Sequence, residues 1–338
     1  MGHDTRDARQ PKVWNTESNM ENRPRFVITD YGFPDISTER EIIGNAGGDL
    51  SAFQCKTEVD VIRAAKDADV LLVQWAPITR AVIQELSRSK VIVRYGIGID
   101  NVDLDAARSR GIVVCNVPDY CVDEVADHTF ALALALTRQL PAIDRQIRQN
   151  VWQTVPPNKM FASRQMTFVT LGYGRIARTV LERARACKFH LATCDPYLSA
   201  DVELPSDIPL LTMDEALATA DILSLHAPLT DTTRHMMDAR AFAKMKSTAL
   251  LINTARGGLI DSVALAEALD SGHLAGAGLD VFEPEPLDEH HPLRHCTNAL
   301  LTSHVAWYSE LSGSKLQRLA AEEAVRVLNE QKSPNRVA

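Results

Sequence analysis

An apolar run, Met166–Leu171, opens directly onto Gly172-Tyr173-Gly174-Arg175-Ile176-Ala177 and then onto a helix-like stretch that reaches Cys187. Few patterns restrict a chain as strongly. The first glycine permits a tight turn out of a strand, the second lets an anion approach the backbone, and the third position needs a small residue where helix meets strand, which Ala177 supplies. The helix start offers unpaired N–H groups and the positive end of the helix dipole. Asp195 ends the next apolar run, 21 positions after Gly174. A carboxylate there accepts hydrogen bonds from both hydroxyls of an adenosine ribose and repels a 2′-phosphate. Pro196-Tyr197 brings no cation beside it, so the pattern predicts a bound dinucleotide and favours NAD over NADP.

The rest of the chain repeats the strand–helix alternation. At roughly 150 residues per domain, 338 residues suggest two domains. In the first half the strands read Phe26–Thr29, Val70–Val73, Val91–Val93 and Ile112–Val114, with helices over Val59–Lys66, Ala81–Ser87 and Leu104–Arg110. A long helix is expected over Val122–Arg148, kinked or broken by Pro141. Six further strands follow: Met166–Leu171, His190–Cys194, Ile222–Leu225, Ala249–Ile252, Ala277–Val281 and Ala299–Thr302. An amphipathic helix closes the chain from Ser309 to Glu330. The expected fold class is α/β, with two Rossmann-like, doubly wound parallel-sheet domains separated by an active-site cleft. Residues 1–22 read as a disordered tail, residues 23–119 plus 309–338 as a flavodoxin-like substrate-binding domain, and residues 120–308 as the NAD-binding domain. The crossings near Pro118–Tyr120 and Trp307–Ser309 make a natural hinge.

Composition excludes several function classes. The net charge of −8 argues against nucleic-acid binding and against docking on anionic lipid. The longest clean apolar run, Phe130–Leu136, falls well short of the about 20 residues a membrane span needs. The polar stretch Met1–Glu21 has no apolar signal core, and six cysteines without a C-x-x-C pair read as reduced thiols, so a cytoplasmic protein is expected.

Five ordered blocks carry a family resemblance: Arg94-Tyr-Gly-Ile-Gly-Ile-Asp-Asn-Val-Asp103, the Gly172 fingerprint, Leu225-His-Ala-Pro-Leu-Thr230, Asn253-Thr-Ala-Arg-Gly-Gly258, and Leu279-Asp-Val-Phe-Glu-Pro-Glu-Pro286 with Ser303-His304. From about Arg25 onward the chain resembles the NAD-dependent D-isomer-specific 2-hydroxyacid dehydrogenases. The stretch His304–Glu310, with Asp195-Pro-Tyr-Leu198, is most similar to the C-terminal-binding-protein branch. Two departures stand out: Ala177 replaces the third glycine, and Ser163–Leu171 lacks the glycine usual early in the strand before the fingerprint.

The resemblance implies a catalytic set of Arg256, Glu285 and His304, for which the residue chemistry is apt. Imidazole titrates near neutral pH, so His304 can give a proton to a developing alkoxide and take it back. A carboxylate at Glu285 would orient the ring and favour its charged form. Arg256 offers a planar fork of donors to a keto oxygen and a carboxylate. Glutamate at 285, rather than the glutamine of formate-oxidising members, favours hydroxyacid chemistry. The cofactor set is Gly172, Tyr173, Gly174, Arg175, Ile176, Asp195, His226, Ala227, Pro228, Thr233, Thr254, Ala255 and Asp280, the last resembling the residue that holds the nicotinamide carboxamide. Arg94, Ile97, Gly98 and Trp307 are the expected substrate contacts, set against blander roles for Arg94 as a surface charge and Trp307 as core. No metal is expected, because His290, His291, His295 and Cys296 lack ligand spacing. His128 reads as a packing or interface residue. The expected function is hydride transfer between NAD(H) and a small D-2-hydroxy acid or 2-keto acid, with the long helix as a homodimer surface. The alternative is an NAD(H)-sensing corepressor-like protein of the same fold, against which the short stretch after Glu330 is weighed.

Overall fold

Short runs of three to five residues become the strands of two parallel sheets in the computed structural model, which describes residues 23–156 and 159–338. The tail expected over residues 1–22 lies outside the described residues. Two units share the chain: the described residues through Tyr120 together with Ser309–Ala338, and Cys121–Tyr308.

The first unit runs β1 (Arg25–Ile28), α1 (Ser37–Asn45), β2 (Asp49–Ala52), α2 (Glu58–Ala65), β3 (Val70–Val73), α3 (Arg80–Glu85), β4 (Val91–Arg94), α4 (Leu104–Ser109) and β5 (Val113–Cys115). Its sheet has the order β2-β1-β3-β4-β5, with every pair parallel. Side chains of β3 are buried along the whole strand, as expected of a sheet covered on both faces. The sequence reading missed β2 and α1. β2 is an edge strand, Asp-Leu-Ser-Ala, with no fully buried residue, so no apolar run marks it. The chain's last residues return to this sheet, with Val337 N–H donating to the Val114 carbonyl at 2.8 Å.

The second unit runs α5 (Val122–Thr137), α6 (Leu140–Arg148), β6 (Thr167–Leu171), α7 (Arg175–Ala186), β7 (His190–Cys194), α8 (Met213–Thr219), β8 (Ile222–Leu225), α9 (Ala239–Lys244), β9 (Leu250–Asn253), α10 (Ser262–Asp270), β10 (Gly276–Leu279) and β11 (Ala299–Leu301). The sheet order is β11-β10-β9-β8-β6-β7, again all parallel. Alternate strand residues feed two cores: Leu223, Leu225 and Leu251 pack under α8–α10, while Phe168, Ile222 and Ile252 pack with residues of α5 and α7. The last helix, α11 (Glu310–Leu328), belongs to the first unit and packs on α1 and β4.

The helical segment expected over 122–148, kinked or broken by Pro141, is broken into two helices, α5 and α6. Gln139 adopts the left-handed conformation (φ 52°) between α5 and α6. Pro141 does not kink a continuous helix. It sits in the first turn of α6, where its missing N–H forfeits no bond. Among the described residues no helix is long and apolar enough to cross a membrane.

Candidate active site

Because all six strands of the second unit are parallel, their C-terminal ends share one edge, and the residues singled out in this unit before Trp307 follow those ends. Gly172 follows β6, Asp195 follows β7, His226 follows β8, Arg256 lies just beyond β9, Asp280 and Glu285 follow β10, and His304 follows β11. β6 lies between β7 and β8, so the chain order reverses there, which is where ligands bind in open parallel sheets.

The fingerprint has the geometry its sequence demands. Gly172 has φ +100°, and a Cβ built on it would lie 2.7 Å from the His226 carbonyl oxygen. Gly174 begins α7 and brings no side chain to cap it. Asp195 is tied to this turn: its Oδ2 accepts from the Tyr173 N–H at 2.9 Å and its Oδ1 from the Tyr197 N–H at 3.0 Å. Each carboxylate oxygen can accept more than one bond, so both can also serve ribose hydroxyls. Arg178 stacks over the Tyr173 ring at 5.9 Å. His226 bonds the Ser224 hydroxyl at 2.9 Å, and burial pushes its pKa down to about 4, so it is neutral at neutral pH. Thr233 closes the turn after β8 by donating to the Pro228 carbonyl at 2.7 Å. These residues fit a dinucleotide.

The catalytic candidates are brought together by loops packed backbone to backbone. His304 Nδ1 lies 2.7 Å from Glu285 Oε2. That contact leaves Nε2 as the ring nitrogen to meet a substrate. Burial alone would raise the Glu285 pKa. The bonds from His304 and from the Phe282 N–H, together with the Arg256 charge, outweigh it and hold the carboxyl below the usual glutamate range. Arg256 is partly buried, and its Nη1 donates to the Ala255 carbonyl at 2.7 Å. Asn253, fully buried, locks the turn by donating to the Arg256 carbonyl (2.8 Å) and accepting from the Ala255 N–H (3.0 Å). Gly257 is required by close approach: a Cβ there would sit 2.0 Å from the carbonyl carbon of Phe282. The absent side chain lets the Arg256 loop lie against the loop that carries Glu285. Arg234 Nη1 donates to both Glu283 carboxylate oxygens, at 2.6 and 2.7 Å, and braces the same loop.

Asp280 has a role that the sequence reading did not assign. It is fully buried. Its Oδ1 accepts from the Thr302 hydroxyl (2.6 Å) and the Val305 N–H (3.0 Å), and its Oδ2 accepts from the Ala306 N–H (2.9 Å). Its carbonyl accepts the His304 N–H at 2.7 Å. Asp280 therefore anchors the His304 loop. The anchor matters because His304 has φ 56°, a left-handed conformation that costs a non-glycine residue on the order of 1–3 kcal/mol unless its surroundings enforce it.

The expected substrate contacts divide between the units. In the first unit the Arg94 guanidinium folds back over Gly96, and the Ile97 carbonyl accepts from Asn116 at 2.7 Å. In the second, Trp307 makes an edge-to-face contact with Tyr308 at 5.4 Å. The four residues that resembled metal ligands by composition are engaged elsewhere or solvated: His291 bonds the Ser262 hydroxyl at 2.9 Å, and Cys296 Sγ lies 3.4 Å from Asp270 Oδ1. Among the described residues no His, Cys, Asp and Glu side chains form a cluster able to hold a metal ion.

Residues 130–306 match the family described as D-isomer specific 2-hydroxyacid dehydrogenase, NAD binding domain. The chain belongs to the D-isomer specific 2-hydroxyacid dehydrogenases. NAD is the cofactor of this domain. The chain is 38% identical over 248 residues to a D-3-phosphoglycerate dehydrogenase of Mycobacterium tuberculosis, a match covering 72% of this chain and 46% of that protein. It thus spans about half the length of the phosphoglycerate dehydrogenases it resembles. It is 33% identical over 281 residues to a glyoxylate reductase of Korarchaeum cryptofilum, covering 82% of this chain and 85% of the other. Among solved structures, a D-lactate dehydrogenase from Aquifex aeolicus complexed with NAD and lactic acid superposes with a TM-score of 0.82 at 25% identity, covering 93% and 98% of the two chains. What sequence reasoning missed in this family member are the supports: Asn253, Gly257, the Arg234–Glu283 pair and Thr302. A buried polar residue ending an apolar strand, as Asn253 does, is the signal that could have exposed the first of them.

Proposed function

We propose that the chain is an NAD-dependent oxidoreductase interconverting a small D-2-hydroxy acid and the corresponding 2-oxo acid. The observation that carries the reading is the 2.7 Å His304–Glu285 pair, which stands on the same sheet edge as Arg256 and the dinucleotide turn. Bound NAD(H) supplies or accepts the hydride. His304 Nε2 delivers a proton to the carbonyl oxygen in reduction and removes one from the hydroxyl in oxidation. Glu285 fixes the ring through Nδ1. Arg256 grips the carboxylate and polarises the oxo group, and in the first unit the turn at 94–98 is the element suited to receive an anion. Arg175, Ile176 and the glycines hold the pyrophosphate, Asp195 the ribose, and the loops at 226–228 and 254–255 border the rest of the cofactor. Relatives named for phosphoglycerate, glyoxylate and lactate chemistry support an enzyme over a corepressor-like sensor. Assay of glyoxylate, hydroxypyruvate, pyruvate and longer 2-oxo acids by NADH absorbance tests the reading. Turnover of none of them refutes it.

The NAD preference rests on Asp195. Asp195→Asn keeps an acceptor but removes the charge, so NADPH should gain on NADH. Asp195→Ala also strips the Tyr173 N–H of its partner. Bonds to charged groups are worth about 1.5–3 kcal/mol, so NADH should bind the Ala variant at least about 10-fold more weakly. Equal efficiency with NADH and NADPH in the unmodified protein would contradict this assignment.

A homodimer is the expected assembly. No residue of α6 is buried, and Leu140 (57%) and Ile147 (47%) are exposed on it, followed by Trp152 (81%) and Val155 (79%). An apolar face of this kind is covered by a second copy in the proposal. Light scattering should give twice the mass of one chain, and Ile147→Asp should halve it. A monomeric unmodified chain would exclude the dimer.

A further inference from the structure

Two neighbouring polar residues of α5 reach both catalytic loops. The Thr129 hydroxyl, fully buried, bonds the Val125 carbonyl and the Thr254 hydroxyl, each at 2.7 Å. One position earlier, His128 Nε2 lies 3.0 Å from Thr302 Oγ1 and 3.6 Å from Asp280 Oδ1. A hydroxyl has one proton to give. Thr302 gives it to the Asp280 carboxylate at 2.6 Å, so towards His128 it can only accept, and the ring must carry a proton on Nε2. The bonds therefore run in one sense, from His128 N–H to Thr302 O–H to Asp280. From there Asp280 accepts the backbone N–H groups of His304, Val305 and Ala306.

We propose that His128 is a positioning residue for catalysis. Through Thr302 it fixes Asp280, and Asp280 holds His304 in its left-handed backbone conformation with the ring against Glu285. The inference rests on the reading of His304 as the acid/base. Removing the His128–Thr302 link leaves the His304 loop with fewer bonds to enforce φ 56°, and the ring drifts from its productive position. Misplacement by about 1 Å costs up to about 10²-fold in rate.

The test is reduction of glyoxylate by NADH, with NADH affinity measured separately by fluorescence. His128→Leu and Thr302→Val should each lower kcat by about 10- to 100-fold while NADH affinity stays unchanged. Thr302→Ser, which restores the hydroxyl, and His128→Gln, whose amide can donate from a similar place, should recover most of the loss. The double variant His128→Leu/Thr302→Val should be no worse than the poorer single variant, because both cut one chain of bonds. Thr302→Val is nearly isosteric, so it decides the matter if His128→Leu is insoluble. His304→Ala is the reference. If it is inactive while His128→Leu and Thr302→Val keep normal kcat, the positioning role is overturned and the acid/base reading stands. Losses that multiply in the double variant, or no rescue by serine, also overturn it. An active His304→Ala overturns the acid/base reading itself.

Discussion

His304→Ala should lose at least about 10²- to 10⁴-fold in kcat/KM, the usual worth of general acid–base catalysis, with NADH binding preserved. The companion measurement is the pH profile in both directions. Reduction takes up a proton at the developing alkoxide and oxidation gives one up, so reduction should weaken and oxidation strengthen as pH rises. Glu285 does not add a second limb in that range. Its pKa is depressed, so the carboxylate stays charged throughout and is lost only in acid, below the ordinary glutamate range. Each limb should therefore follow a single proton. Glu285→Gln replaces the carboxylate that His304 Nδ1 bonds, so the pH profiles of both directions should change. An unmoved profile in this variant would separate Glu285 from His304 despite their 2.7 Å contact.

Arg256→Lys is expected to fail nearly as badly as removal of the side chain. The guanidinium is oriented by its own backbone, through the Nη1 bond to the Ala255 carbonyl at 2.7 Å. A planar fork can be held at one nitrogen and still present another to a carboxylate, whereas a lysine ammonium is a point charge with no such geometry. Loss of one preorganised donor commonly costs on the order of 10²- to 10³-fold in kcat. The drop should appear in kcat/KM for the 2-oxo acid and leave NADH affinity intact. Near-normal turnover by the lysine variant would show that Arg256 is not the clamp.

Much of this design is legible in the sequence because it is local. The strands of the second sheet are apolar runs, and the glycine turn with its distant Asp195 carries its own reason for each residue. What escapes is whatever depends on partners far apart in the chain. His128 and Thr302 are 174 positions apart, so no periodicity hints that they meet. Gly257 reads as a loop glycine until the Phe282 backbone is found against it. Asp280 is conspicuous as a carboxylate after an apolar strand, yet its role as an anchor appears only when Val305 and Ala306 fold back onto it. At the level of elements the same rule holds. β2 escapes because an edge strand needs no apolar run, and the end of α5 escapes because Gln139, rather than the conspicuous Pro141, breaks the helix.

The return of α11 to the first unit dictates an order of assembly. Gln317 closes the bond to buried Glu39 across 278 residues of chain, and Ala338 supplies its carbonyl to Val114. On the ribosome, residues 23–120 emerge ahead of Cys121–Tyr308 and lack these partners until residues 309–338 follow. The inserted unit, Cys121–Tyr308, is continuous and can fold as soon as it is free of the exit tunnel. The nascent chain can therefore acquire its nucleotide-binding sheet while residues 23–120 still wait for α11.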